Sequence, residues 1–241
     1  MNKAAPASST SWLPYMSKTI NYNNWIFSLF KDYLGNRILD IGSGQGTFIN
    51  YIKDKNYIVS VEPSFDDYVH MKKIFSGCAN IDLTNNDFNQ EGIVENICSK
   101  DIDTVICLNV LEHIENDRKT LKNIHKCLVP SGIFILYVPA LSILYGSLDE
   151  SLSHYRRYDK SILEDMLKKE GFKIIKSRYV NFIGIFSWFL YSKILKAKVP
   201  AEKRILFYDK YIVPIVSAIE NRIQLPFGQS LLIICERIPT A

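Results

Sequence analysis

Residues 37–48 read RILDIGSGQGTF, a short apolar strand ending on Asp40 and running directly into Gly42, Gly44 and Gly46. No other segment constrains the fold as tightly. Glycines at alternate positions let the backbone pass close to a ligand where a Cβ would collide. The helix expected from near Gly46, with Phe48, Ile49 and Ile52 on one face, points its N-terminus at the same spot. Around this turn the chain alternates strand and helix patterns, as a parallel, doubly wound α/β sheet requires.

The strands and helices can be placed in order. A helical stretch at 24–34 precedes the first strand (38–41), and 57–61, YIVSV, reads as the second, with Glu62 at its tip. A helix over 65–75 leads to a weak third strand at 80–83, and 103–108 is a buried-type fourth. An amphipathic helix over 117–128, with Leu121, Ile124 and Leu128 on one side, is closed by a turn at Pro130, Ser131 and Gly132 before the fifth strand at 133–138. Asp159 or Ser161 caps a helix running through Leu167. Residues 172–180 and 230–237 read as the last two strands, and the 181–229 connection between them is far longer than a hairpin needs.

Composition sets limits. At 241 residues and 47% hydrophobic, the chain is one large domain, or one with an elaborated end. The formal charge of +4, from 29 basic and 25 acidic residues, is too small and too dispersed for a nucleic-acid footprint. Cys78, Cys98, Cys107, Cys127 and Cys235 are scattered and lack CxxC or CxxH spacing, which predicts reduced thiols, no metal and a cytoplasmic chain. The polar N-terminal residues carry no secretory pattern.

The glycine spacing separates two kinds of site. A dinucleotide fingerprint is GxGxxG, whereas here the pattern is GxGxG, Thr47 stands where the last glycine would fall, and Asp40 lies two residues before the first. This arrangement resembles motif I of the class I S-adenosylmethionine-dependent methyltransferases, over roughly residues 37–180. The resemblance implies a seven-stranded, mostly parallel, Rossmann-like sheet with the seventh strand antiparallel between the fifth and sixth. It also implies a single domain over 1–241, with an N-terminal helical cap at 1–36 and a helical insertion or lid at 181–229. Its cofactor is S-adenosylmethionine, held by Asp40, Gly42, Ser43, Gly44 and Gly46. Glu62, beside Pro63, would accept both ribose hydroxyls. Asp87 and Phe88 stand where the family places its adenine contacts, and Leu108 and Asn109 where its loop follows the methionine end.

The acceptor side is sought after the fifth strand, at the carboxyl end of the sheet where open α/β sheets bind ligands. There the chain reads Tyr145, then His154-Tyr155-Arg156-Arg157-Tyr158, a cluster similar to a segment of bacterial small-molecule methyltransferases of the ubiquinone-biosynthesis type. His154, His113 and Tyr158 are the candidate catalytic groups, since an oxygen acceptor must lose a proton and imidazole titrates near neutrality. Tyr145, Arg156 and Arg157 are the candidate acceptor-binding groups; alternatively, the arginines pair with Asp149, Glu150 or Asp159 and pin the loop. Asn109-Val110-Leu111 replaces an Asn-Pro-Pro-Tyr motif, which disfavours methylation of an adenine or glutamine nitrogen. Methyl transfer to the oxygen of a small, lipid-linked or glycan-linked acceptor is the leading expectation. An NAD(P)-dependent oxidoreductase and a non-catalytic methyltransferase-like binding subunit are the alternatives.

The 181–229 insertion carries aromatic and aliphatic residues, then lysines. Asn181, Ser187 and Ser192 interrupt its apolar run, which falls short of the ~20 residues a membrane span needs. Three readings stay open: a helical cap, a lid or homodimer surface completing an acceptor pocket, and an interfacial helix giving peripheral membrane contact through 181–204.

Overall fold

A computed structural model describes residues 16–198 and 202–239; residues 1–15 of the expected N-terminal cap lie outside the described residues. Helix α1 (Ile20–Phe30) precedes strand β1 (Arg37–Ile41). The one-turn helix α2 (Ile49–Ile52) follows the glycine turn, and β2 (Tyr57–Val61), α3 (Phe65–Ile74) and β3 (Ile81–Thr84) complete the first half. The second half runs α4 (Ile93–Cys98), β4 (Ile102–Leu108), α5 (Asp117–Cys127), β5 (Leu128–Pro139), α6 (Ser147–Ser151), α7 (Lys160–Lys169) and β6 (Phe172–Val180). Helices α8 (Phe182–Trp188), α9 (Glu202–Phe207) and α10 (Val213–Glu220), with π-helical turns at Phe189–Ile194 and Tyr208–Ile212, then lead to β7 (Ser230–Arg237).

The seven strands form one sheet in the order β3-β2-β1-β4-β5-β7-β6. All neighbouring pairs are parallel except the two made by β7, which lies antiparallel between β5 and β6, as the resemblance implied. Because side chains alternate across a strand, each central strand feeds two cores. Leu39, Val105, Phe134 and Ile233 pack on one face beneath Leu121 and Ile124 of α5 and Leu163 of α7. Ile38, Ile106, Ile135 and Ile234 pack on the other beneath Trp25, Ile26 and Phe30 of α1 and Val213 and Val216 of α10. That two-sided burial is why these strands read as continuous apolar runs.

Two local expectations need correction. Pro130, Ser131 and Gly132 belong to the start of β5 rather than to a separate turn. The ladder passes from the pair Ile102/Leu128 to Thr104/Ile133, so these residues bulge outward, with Ser131 at φ +60°. Nor are all the cysteines reduced: Cys98 at the end of α4 and Cys127 at the end of α5 form a disulfide, with Cα atoms 4.0 Å apart. Cys78, Cys107 and Cys235 are free. The pairing comes from the packing of two helices and leaves no mark in sequence spacing.

Register aligns the carboxyl ends of the central strands. Ile41 stands beside Val61 on one side and Cys107 on the other. The ladder continues one step past each strand, through Gly42 N–H to Val61 O (2.8 Å), Glu62 N–H to Thr84 O (3.0 Å) and Asn109 N–H to Tyr137 O (2.7 Å). The strand order reverses between β1 and β4, which is where sheets of this kind open a crevice for ligand.

Candidate functional site

The glycine turn supplies one wall. Gly42, Gly44 and Gly46 all have positive φ, at +69°, +53° and +75°, a region L-residues rarely adopt. At Gly42 a Cβ would also sit 2.4 Å from a Val110 methyl carbon, so the turn and the loop after β4 close on each other only through glycine. Glu62 fixes the turn from the side. Its Oε2 accepts from Gly44 N–H at 2.7 Å and its Oε1 from Ser64 N–H at 2.8 Å. Each oxygen keeps a lone pair for a further donor. Burial raises the Glu62 pKa while these two amides pull against it. The Asn85 side-chain amide donates to the carbonyls of Glu62 and Pro63 and so holds the end of β2.

Asp40 is buried at the end of β1, and burial lifts its pKa to about 7, with Ser43 opposing and Glu62 adding to the shift. The Ser43 and Ser60 hydroxyls lie 2.6 Å apart beneath the turn. Asn109 is exposed with φ +55°, and Leu108 is half-buried. Asp87 is exposed and accepts from Asn89 N–H at 2.7 Å. Phe88, 3% exposed, turns into the core with Val94, Ile97 and Leu121, which explains its apolar character by packing. A cavity of about 310 Å³ lies beside the turn, lined by Gln45, Thr47, Asn50 and His70 among others. Asp40, Glu62 and Asn109 are not among its walls, so the strand ends, not this cavity, define the site.

The opposite wall is built round Asp149 of α6, which is fully buried. Its Oδ1 meets His154 Nδ1 at 3.0 Å and accepts from Arg157 Nε at 2.8 Å; its Oδ2 accepts from Gly146 N–H at 3.0 Å and Trp188 Nε1 at 3.2 Å. Burial works to raise the Asp149 pKa, but His154 and Arg157 outweigh it and hold the carboxyl below its usual range. Sequence reasoning missed this residue as a hub; a lone acid in a polar loop gives no signal of four partners.

The arginines are committed to structure. Arg157 is buried, donates also to Ala140 O at 2.9 Å, and lies over the Trp188 ring at 4.4 Å. Its expected role in holding acceptor gives way to the alternative, a pinned loop. Arg156 donates to Asp117 Oδ2 and Glu115 O, both at 2.7 Å, and keeps a third of its side chain exposed. Tyr158 is buried in the core and its hydroxyl donates to Leu111 O and Asp117, while burial, reinforced by Asp117, drives its pKa far upward. A phenol so held cannot take a proton from an acceptor. Tyr145 is half-buried and donates to His154 O at 2.8 Å.

His113 and His154 are brought together from segments 41 residues apart, their rings edge to face with centroids 4.6 Å apart. His113 is exposed, and the protein packed against its ring, with His154 adding to the effect, lowers its pKa. Glu112, beside them, is fully buried, and burial lifts its pKa to about 8. His113 lies three residues beyond Val110, the residue against Gly42.

These features fit an adenosine-bearing cofactor. The turn runs through three glycines at positive φ, the Glu62 carboxylate has capacity for ribose hydroxyls, and Asp40 offers a buried acid for a cationic group. Comparison with known proteins agrees. A methyltransferase domain family matches residues 13–177. Uncharacterized protein MJ0638 of Methanocaldococcus jannaschii is 29% identical over 73% of this chain and 72% of its own length. The ubiquinone biosynthesis O-methyltransferase of Rickettsia bellii is 24% identical over 62% of this chain, which spans 66% of that enzyme. The crystal structure of a SAM-dependent methyltransferase from Archaeoglobus fulgidus superposes with a TM-score of 0.59 at 19% identity, covering 92% of this chain and 94% of that one, a likeness of fold. With the family match extending over most of the chain and the seven-stranded sheet in place, this chain belongs to the methyltransferase domain family and is a class I S-adenosylmethionine-dependent methyltransferase.

Proposed function

We propose that this protein methylates an oxygen of a small, lipid-linked or glycan-linked acceptor. The observation that supports the reading is the close approach of Val110 to Gly42, which joins the glycine turn to the loop carrying His113, whose ring packs on His154. S-adenosylmethionine supplies a methyl carbon on a sulfonium, which an acceptor oxygen displaces in line while the carbon–sulfur electron pair stays on sulfur. Most of the protein's task is then positioning. Gly42, Ser43, Gly44 and Gly46 let the backbone approach the cofactor, Glu62 and Pro63 fix the ribose end, and Asp87 borders the adenine. Asp40, Leu108 and Asn109 follow the methionine end. Tyr145, His113 and His154 face the acceptor, and His154 is held in one orientation by Asp149.

The nicotinamide alternative is disfavoured by the GxGxG spacing and the antiparallel β7. Calorimetric titration with S-adenosylmethionine, S-adenosylhomocysteine and NAD tests the assignment. Micromolar binding of the two sulfur compounds, weakened about tenfold or more in Glu62→Ala, is expected, since hydrogen bonds to a charged group contribute about 1.5–3 kcal/mol each. Binding of NAD alone would overturn it, and binding of none would leave a non-catalytic scaffold.

A lipid-linked acceptor is favoured by the segment 181–229. Seven basic and three acidic residues give it a charge of +4, the charge of the whole chain, so the remainder is neutral. The three acids are engaged: Glu220 and Asp209 are buried on backbone amides of Phe182 and Tyr22, and Glu202 pairs with Lys18. Phe186, Phe189, Ile194, Phe207, Ile215 and Ile223 are exposed beside the lysines. No helix among the described residues is long and apolar enough to cross a membrane. An apolar and basic surface of this kind suits the interface of an anionic bilayer. Cosedimentation with phosphatidylglycerol vesicles but not phosphatidylcholine vesicles is the expected result; equal partitioning, or none, would remove the lipid reading.

A further inference from the structure

Cysteine spacing speaks against a thiolate metal site but says nothing about a site built from carboxylate and imidazole. Glu112, His113 and His154 each offer one ligand atom, and these atoms all lie within 4.8 Å of one another. Ligand atoms round a single ion at about 2.1 Å are separated by roughly 3–4 Å, so small side-chain rotations would close the set.

A second observation points to a missing cation. Glu112 is fully buried, and among the described residues neither carboxyl oxygen has a hydrogen-bond partner. Leaving such a group unsatisfied is costly, and more so when it is charged. The nearby Arg157 guanidinium attracts the carboxylate through space but makes no hydrogen bond to it, since its N–H groups go to Asp149 and Ala140. The His154 imidazole is already oriented from behind, because its Nδ1 meets Asp149 at 3.0 Å. Its other ring nitrogen is left for a further partner. A carboxylate or carbonyl behind a ligating histidine is the usual support of a metal site.

We propose that Glu112, His113 and His154 hold one divalent first-row transition-metal ion on the acceptor side of the crevice. One carboxylate and two imidazoles suit Zn²⁺, Fe²⁺ or Mn²⁺ better than the all-oxygen shells preferred by Ca²⁺ and Mg²⁺, and three protein ligands leave positions open for substrate. The role, though not the site, rests on the methyltransferase reading. An acceptor hydroxyl bound to the ion releases its proton to solvent more readily, and its oxygen lone pair forms the bond to the methyl carbon as the carbon–sulfur pair leaves on sulfur. His154 then acts as a ligand and not as the general base.

The test uses the full-length protein, stripped with EDTA and titrated with Co²⁺ and then Zn²⁺, with S-adenosylhomocysteine affinity measured in parallel. One equivalent of Co²⁺ with ligand-field bands of nitrogen and oxygen coordination is expected, displaced by Zn²⁺ and weakened on the order of a hundredfold in Glu112→Gln and in His154→Asn. Absence of Co²⁺ binding, binding that both variants leave unchanged, or thiolate charge-transfer bands would overturn the site. If Glu112→Gln fails to fold by circular dichroism, the wild-type spectrum and His154→Asn decide. S-adenosylhomocysteine binding without an ion sinks the metal site alone, whereas an ion without S-adenosylhomocysteine binding sinks the methyltransferase reading alone.

Discussion

Replacing Asp149 with alanine should be among the most damaging single changes in this protein outside its apolar core. The carboxylate receives the Arg157 guanidinium, the Trp188 indole, the His154 ring and the Gly146 amide, and neither it nor the Arg157 side chain is more than 1% exposed. Removing one partner of a buried pair leaves an uncompensated charge, which costs about 3–5 kcal/mol. The indole and amide left without an acceptor add roughly 1 kcal/mol each. A loss of about 5–7 kcal/mol corresponds, at roughly 2–4 °C per kcal/mol for a chain of this length, to a fall in Tm of roughly 10–28 °C. Chemical denaturation followed by circular dichroism reads the free energy directly. The double variant Asp149→Leu, Arg157→Met should recover at least about 2 kcal/mol relative to the sum of the single changes, because it removes the orphaned charge. A single-variant loss below about 1 kcal/mol, or strict additivity, would show that solvent reaches the pair and that the hub has been misjudged.

Further outcomes follow from the opposite wall and from the helices beneath it. Gly42→Ala should abolish cofactor binding, since it combines a left-handed φ with a Cβ 2.4 Å from Val110; adding Val110→Ala should relieve the clash but not the backbone strain, and calorimetry separates the two. Asp40 has a folded pKa of about 7, above its ordinary 3.8. The native state thus binds more protons than the unfolded state between those values, and the stability of the cofactor-free protein should fall as pH rises through that window, by up to about 1.4 kcal/mol per pH unit. Asp40→Asn should flatten that slope, and a slope unchanged in the variant would reject the assignment. Reduction of Cys98–Cys127, which are 29 residues apart, should cost about 3–4 kcal/mol of loop entropy. Thiol counting of the unfolded protein without reductant should find three free cysteines; five would remove the bond.

Much of the fold is written locally. Strand β7 could be bounded from its apolar content alone, and β1, β2 and β4 to within a residue, because strands buried on both faces must be apolar almost throughout. The bulge at Ser131 was misread since proline and glycine signal irregular backbone without saying whether the strand continues through it. The three-glycine turn was equally legible, because its geometry is demanded by the residues that compose it.

The acceptor side behaved differently. His-Tyr-Arg-Arg-Tyr named the right loop, but sequence could not say that Arg157 and Tyr158 point inward while His154 meets His113. Local sequence determined where the strands lie, where the backbone must turn through glycine, and hence where a cofactor enters. Tertiary structure alone decided that Cys98 meets Cys127, that Asp149 gathers four donors, and that Glu112 is buried beside two imidazoles without a hydrogen-bond partner among the described residues. The physical reason is range: backbone conformation and apolar periodicity are properties of a few consecutive residues, whereas desolvation and pairing of a polar group depend on whatever distant segment the sheet brings to its side.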